Sequence, residues 1–232
     1  MNEIQRINQE YLRRALDHEI VQRYSELNQD IQFTVHSRER ARMALLRRSC
    51  VKQFHNLKLL DVGCGAGGEL FRWLTYGLQP LNCAGVDLLP KRIAIARQVL
   101  PPSVTLQQCD ASVLPFEKNC FDLVTQYTMF SSVLDKKMQH AIAQEMLRVL
   151  KPNGMIIWYD FWLNPTNKAT RGIRLKEIKR LFPNCTYDAT LVTLAPPIAR
   201  VVAKRSFLLA TLLELLPLRT HWLVGIKPKA IP

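Results

Sequence analysis

The sequence is short of acid. Its 232 residues hold 19 Asp and Glu against 32 Lys and Arg, a formal net charge of +13. Nine Gly and 13 Pro are too few for a collagen-like or low-complexity chain. The cysteines Cys50, Cys64, Cys83, Cys109, Cys120 and Cys185 form no C-x-x-C pair and no Cys/His group at zinc-ligand spacing. That excludes a disulfide scaffold, gives no ground for a structural metal, and suits a reduced, cytoplasmic protein. Long hydrophobic runs are lacking too. The most apolar stretch, Ser206–Leu218, contains Glu214 and is too short to span a bilayer. It reads as core, with a peripheral membrane contact as the weaker reading. The opening MNEIQRINQEY has no apolar h-region, so no secretory signal is expected. No repeat and no Gly/Ser-rich linker interrupts the chain.

The basic excess is localised. Residues 36–58 carry a net +6 and residues 168–205 a net +7, so the remainder is neutral. Such clustering suits either an acidic partner or helices with solvated basic faces.

Periodicity divides the chain near residue 55. Residues 1–55 read as a helical N-terminal cap, with Leu12, Ala15, Ile20 and Tyr24 at loose helical spacing. Ser37 is the expected N-cap of a basic helix over Ser37–Val51. Residues 56–232 then alternate short apolar runs with helical segments. Strands are expected at Leu57–Val62, Leu81–Val86, Val104–Cys109, Phe121–Gln126, Met155–Tyr159, Thr186–Leu194 and His221–Ile226. Helices are expected at Glu69–Tyr76, Lys91–Leu100, Asp135–Leu150, Leu175–Leu181 and Pro197–Leu215. Strands alternating with helices imply a parallel sheet with right-handed crossovers, and unbroken apolar runs imply burial on both faces.

The chemistry concentrates at LLDVGCGAGGEL, Leu59–Leu70. Gly63, Gly65, Gly67 and Gly68 let the backbone turn tightly between a strand and a helix and come close to a ligand. The G-x-G-x-x-G spacing alone is a weak signal. Asp61 precedes the loop, where an Asp can hold backbone N–H groups or simply cap the turn. Asp87 ends the next strand, where a carboxylate can take both hydroxyls of a ribose. Asp110-Ala111 ends the third, where a carboxyl and a backbone N–H can read an adenine edge or merely make a turn.

These residues resemble the motifs of class I S-adenosylmethionine-dependent methyltransferases, of the type 11-like, Rossmann-like kind. The resemblance rests on Asp61-x-Gly63-x-Gly65-x-Gly67, on Asp87, on Asp110-Ala111 with Leu114-Pro115-Phe116, on Phe121-Asp122-Leu123-Val124, and on Leu150-Lys151-Pro152-Asn153-Gly154. It covers residues 57–160, with Asn153 departing from the glycine expected there. It implies an α/β fold of three layers, a seven-stranded sheet with its last strand antiparallel. It also implies S-adenosylmethionine as cofactor, with S-adenosylhomocysteine as product. The loop with Asp61, Gly63, Cys64 and Gly65 would face the methionyl part. Asp87 would hold the ribose, Leu88 would lie on the adenine, and Asp110 and Ala111 would read its edge. Gln126 and Tyr127 would stand near the methionine end, and the Leu114-Pro115-Phe116 segment would pack a loop. The competing cofactor, a nicotinamide dinucleotide, leaves Asp110-Ala111 without a role.

The acceptor is less determined. Strand four ends in Gln126-Tyr127-Thr128-Met129-Phe130 rather than the N/D-P-P-Y/F of nucleic-acid amino methylases. No cysteine stands where a cytosine-C5 nucleophile would, and no acidic trio suggests a metal. Candidate bases or orienting groups are Tyr24, His36, Tyr127, Asp160 and His221. The region 165–218 is the expected specificity region, with Arg171, Arg174, Arg200 and His221 as candidate substrate contacts. A basic lid suits an anionic acceptor. The expected function is therefore methyl transfer, at oxygen by preference, to a small or medium-sized anionic acceptor in natural-product, peptide or glycan biosynthesis. An RNA methyltransferase and a non-catalytic binding protein on the same fold are the alternatives. RNA is the less favoured partner because no aromatic-rich basic motif accompanies the charge.

Overall fold

The computed structural model describes residues 2–49, 51, 53–164, 167 and 169–229. Cys50, and Lys52 and Lys168 of the basic stretches, lie outside the described residues. Seven strands make one sheet: β1 (Leu59–Val62), β2 (Cys83–Asp87), β3 (Thr105–Gln108), β4 (Phe121–Tyr127), β5 (Leu150–Phe161), β6 (Cys185–Leu194) and β7 (Arg219–Pro228). Their order across the sheet is 3-2-1-4-5-7-6. β1 to β5 pair in parallel, and β7 runs antiparallel between β5 and β6. β6 therefore runs in the same sense as β5.

Three helices precede the sheet: α1 (Glu3–Leu16), α2 (His18–Arg23) and α3 (Gln29–Arg48). α4 (Gly68–Thr75), α5 (Pro90–Val99) and α6 (Lys136–Val149) are crossovers between parallel strands, followed by α7 (Leu175–Leu181), α8 (Pro196–Val202) and α9 (Phe207–Leu213). The layers follow from strand alternation. Leu60, Val62, Val124, Ile156 and Trp158 face α6 and α7 with Ile142, Met146 and Ile178. Their neighbours Leu59, Leu123, Met155 and Ile157 face α3, α4 and α5 with Leu45, Leu46, Trp73 and Ile93. Both faces are thus covered, which is why the strand runs carry no polar alternation.

Three sequence expectations need correction. α3 starts at Gln29 with Asn28 as N-cap, so Ser37 lies mid-helix and does not cap it. Its buried hydroxyl donates to Glu214 Oε1 at 2.6 Å. Packing of Phe33 against Leu194, Ala199 and Ala203 extends the helix where local propensity gave no signal. The single helix expected over Pro197–Leu215 is two, because Ser206 turns extended and caps α9 by accepting from Leu209 N–H at 3.1 Å. β5 begins at Leu150, ahead of the expected Met155, and Lys151–Gly154 form an irregularity inside it. Phe121 pairs with Leu150 and Leu123 already pairs with Met155, so the intervening residues bulge out.

Candidate functional site

The carboxyl ends of β1, β2, β3 and β4 open into a cleft. Gly63, Asp87, Leu88, Asp110, Ala111 and Tyr127 all line it. They come from the ends of consecutive parallel strands, the place where open α/β sheets bind ligands.

The loop after β1 is held by β2. Gly63 and Cys64 donate their N–H groups to the carbonyl of Val86 at 2.8 and 2.9 Å. Gly65 donates to Asp87 Oδ2 at 2.9 Å. Gly63 sits at φ +76°, and a Cβ there would lie 2.6 Å from Met129 Cγ, so only glycine fits both the turn and the contact. Asp87 Oδ1 accepts from Leu89 N–H at 2.9 Å. Each Asp87 oxygen thus has one protein donor and keeps acceptor capacity. Asp110 is similar: Oδ1 accepts from Ser112 N–H at 2.8 Å. Among the described residues, its Oδ2 and the N–H of Ala111 have no protein partner.

Asp61 behaves differently from the expectation that it holds loop N–H groups. Among the described residues its one hydrogen-bond donor is the Thr125 hydroxyl, at 2.7 Å. It is buried, and burial pushes its carboxyl up to about 8, against the Thr125 hydrogen bond. Cys64 is buried as well, its thiol pushed up by burial. Neither lines the cleft, and nor does Gln126, which ties the end of β4 together. Its Oε1 accepts from Met129 N–H at 3.1 Å and its Nε2 donates to the carbonyl of Tyr159 at 3.3 Å. The next residue but one, Thr128, lines the cleft at φ +56°, an uncommon conformation for a β-branched side chain.

The remaining candidates do not gather at the cleft. Tyr24 is 67% exposed at the C-terminal end of α2. Asp160 is buried beneath the turn after β4, accepting from Ser131 N–H and Phe161 N–H, each at 2.9 Å. Burial pushes its carboxyl up to about 7 against those two donors. His221, the third residue of β7, stands opposite Phe161 at the carboxyl edge of the sheet. It stacks on Tyr159 with ring centroids 4.9 Å apart, and burial, aided by Arg38, pushes it down to about 3. It is therefore neutral at physiological pH. Arg171 pairs with Glu177 at 2.8 Å and Arg200 with Asp30 at 3.8 Å. Arg174 is the exposed N-cap of α7, and His36 lies within α3.

A buried charge network went unread in the sequence. Arg42 of α3, fully buried, donates to Glu69 Oε2 at 3.0 Å, to the Tyr127 hydroxyl at 2.8 Å and to Glu39. Its guanidinium lies 4.4 Å from the centroid of Trp73. Burial opposes its charge, but Tyr127, Glu69 and Glu39 hold its pKa above the ordinary value. Arg38 pairs with Glu69 and stacks over Tyr127 and Tyr159. Part of the basic stretch 36–58 thus faces inward, not a partner. The Tyr127 phenol is pushed up by burial, so it stays protonated. α1 closes the other side of the cleft with Ile7 and Tyr11. The Tyr11 hydroxyl shares a 3.1 Å hydrogen bond with that of Ser132, and Arg92 stacks on the Tyr11 ring at 4.5 Å.

Residues 60–158 match the family model described as a methyltransferase domain. That likeness covers less than half of the chain. The fold agrees: the S-adenosylmethionine dependent methyltransferase of Mesorhizobium loti superposes with a TM-score of 0.56 over 81% of this chain and 98% of that one, at 16% identity. Two curated relatives extend the likeness. The 2-methyl-6-phytyl-1,4-hydroquinone methyltransferase of Synechocystis sp. is 36% identical over 107 residues, 44% of this chain and 31% of that protein. Norajmaline N-methyltransferase of Rauvolfia serpentina is 30% identical over 135 residues, 54% and 44% of the respective chains. The match thus spans less than half the length of either relative. The family model leaves α1, α2, α3, α7, α8, α9, β6 and β7 outside it. Among the described residues no group of His, Cys, Asp or Glu is placed to hold a metal, and no helix is long and apolar enough to cross a membrane.

Proposed function

We propose that this chain is a methyltransferase that uses S-adenosylmethionine to methylate a small or medium-sized acceptor. One observation carries the reading: the glycine loop, Asp87 and Asp110-Ala111 meet in a single cleft with acceptor and donor capacity to spare. When bound, the cofactor supplies an activated methyl group on a sulfonium sulfur. The residues present fit it. Asp87 would take the ribose hydroxyls, Asp110 and the Ala111 N–H the adenine edge, and Leu88 the adenine face. The loop backbone around Gly63 would border the methionyl end.

What the chain adds is orientation and exclusion of water. α1 covers the cleft through Ile7 and Tyr11, and the Arg42–Tyr127 hydrogen bond fixes the floor. Among the described residues, no histidine, glutamate or lysine lines the cleft. Asp87 and Asp110 already hold backbone N–H groups, and the Tyr127 phenol stays protonated. A site without a free base suits an acceptor that needs none. We therefore extend the proposal to an anionic acceptor methylated at oxygen, such as a carboxylate, which is ionised before it arrives. The net positive charge supports the anionic part.

Calorimetric titration with S-adenosylhomocysteine, with NAD and NADP as controls, tests the cofactor. One-to-one binding of the homocysteine compound alone is expected, and a nicotinamide signal would overturn it. A panel of carboxylic acids against matched alcohols and amines, read by cofactor turnover, tests the acceptor. Turnover confined to amines would refute oxygen methylation.

A further inference from the structure

The α8–α9 segment, which lies outside the family match, carries an apolar surface on its outer side. Leu208 is 72% exposed and Leu215 75%, with Leu209, Leu212 and Leu216 each near half. A soluble chain rarely leaves so many neighbouring leucines in water without a use. The inner side is fully engaged: Ala199, Ala203 and Ala210 are buried, and Phe207 meets Phe33 of α3 edge-on at 5.7 Å. The leucines are thus a second face of a segment already packed.

Charge selects what covers that face. Lys204 and Arg205 stand exposed at the joint between α8 and α9. From Ala189 onward the sequence has a single acid, Glu214. It is turned inward, accepting from the Ser37 hydroxyl at 2.6 Å and Leu194 N–H at 3.2 Å and pairing with Arg40 at 3.4 Å. The apolar face is therefore flanked by cations and cleared of anions. Exposed leucines beside Lys and Arg match the interface of an anionic bilayer, where apolar burial and attraction to lipid headgroups add.

Topology places this surface usefully. α8–α9 leaves the sheet at the carboxyl end of β6 and returns at the start of β7. Because β6 runs in the same sense as β5, that is the edge at which the cleft opens. The same α3 that bears Phe33 under α9 bears Arg38 and Arg42 beside Tyr127.

We propose that the α8–α9 leucines with Lys204 and Arg205 dock this chain on an anionic membrane surface, holding the cleft edge toward the bilayer. The docking stands apart from methyl transfer and is measured without it. The test is co-sedimentation of the full chain with vesicles of phosphatidylcholine, with and without phosphatidylglycerol. Sedimentation is expected only with the anionic vesicles, weakening as salt rises. Combining Leu208→Ser, Leu212→Ser and Leu215→Ser should lower partitioning by about a hundredfold. Lys204→Glu with Arg205→Glu should lower it at least about tenfold while leaving every leucine in place. Thermal melts show whether the serine variant folds; if it does not, the charge-reversed variant carries the test. Binding indifferent to lipid charge, or unchanged in the charge-reversed variant, would overturn the proposal. So would self-association in sedimentation velocity that the serine substitutions abolish, without vesicle binding, since the face would then belong to a second copy of this chain.

Discussion

Asp87→Ala removes the carboxylate on which the cofactor assignment turns. Asp87 lines the cleft, and each of its oxygens accepts one backbone N–H at 2.9 Å, from Gly65 and from Leu89. The acceptor capacity left over matches two ribose hydroxyls. Hydrogen bonds to a charged group contribute roughly 1.5–3 kcal/mol each, so the pair amounts to about 3–6 kcal/mol. That corresponds to a loss of about 10² to 10⁴ in affinity. The substitution also strands the N–H groups of Gly65 and Leu89, at a cost of about 1–3 kcal/mol each that falls on the two loops. Asp87→Asn separates the effects. It keeps one carbonyl acceptor but presents an amide where a second N–H or hydroxyl points. Calorimetry with S-adenosylhomocysteine reads affinity, and thermal melts read the loops. Both variants should fold, with alanine losing all measurable binding and asparagine most of it. If Asp87→Ala binds as the unaltered chain does, the ribose is held elsewhere and the assignment of this cleft is wrong.

Arg42→Met removes the buried cation from the half-buried Glu39 and Glu69 and leaves them Arg38. Urea unfolding should show a loss of about 3–5 kcal/mol, and a loss below about 1 kcal/mol would mean the network is solvated. Asp160 has its carboxyl raised by burial from 3.8 to about 7, so the folded state holds its proton more tightly than the unfolded chain. Its favourable contribution is complete below pH 3.8 and is lost as pH rises through about 7. Relative to Asp160→Asn, the unaltered chain should lose on the order of 4 kcal/mol across that window, and a difference flat with pH would refute it. Tyr24→Phe, at a position 67% exposed, should leave S-adenosylhomocysteine affinity and turnover unchanged. A large drop in either would mean that α2 closes over the cleft in the working state.

Much of the cleft was legible because its parts are local. The run Asp61–Gly68 joins a strand to a helix within a few residues, and the acids at 87 and 110 mark the ends of the next strands. Such signals depend on backbone geometry that the neighbouring sequence sets. Arg38, Arg42 and Glu69 were not legible for the opposite reason. In sequence they stand in a charged run of α3 and in the first turn of α4, far apart and ordinary on the surface of a helix. Only the packing of α3 across α4 and β4 brings Arg42 onto Tyr127 and Glu69. The place of His221 likewise depends on the register of β7 against β5. The antiparallel register that sets it opposite Phe161 puts it at the carboxyl edge.

The sequence by itself determined the doubly covered sheet, the ligand loop and the strand-end acids. Hydrophobic periodicity and turn chemistry are short-range properties, and five parallel strands with their crossovers follow from them. Tertiary structure decided which charges are inside. It turned Arg42 and Glu214 inward, left Lys204 and Arg205 outside, and split the last helical stretch so that its leucines face solvent. Burial of a charge depends on whether a partner of opposite sign arrives from another element, and no stretch of sequence carries that partner's position.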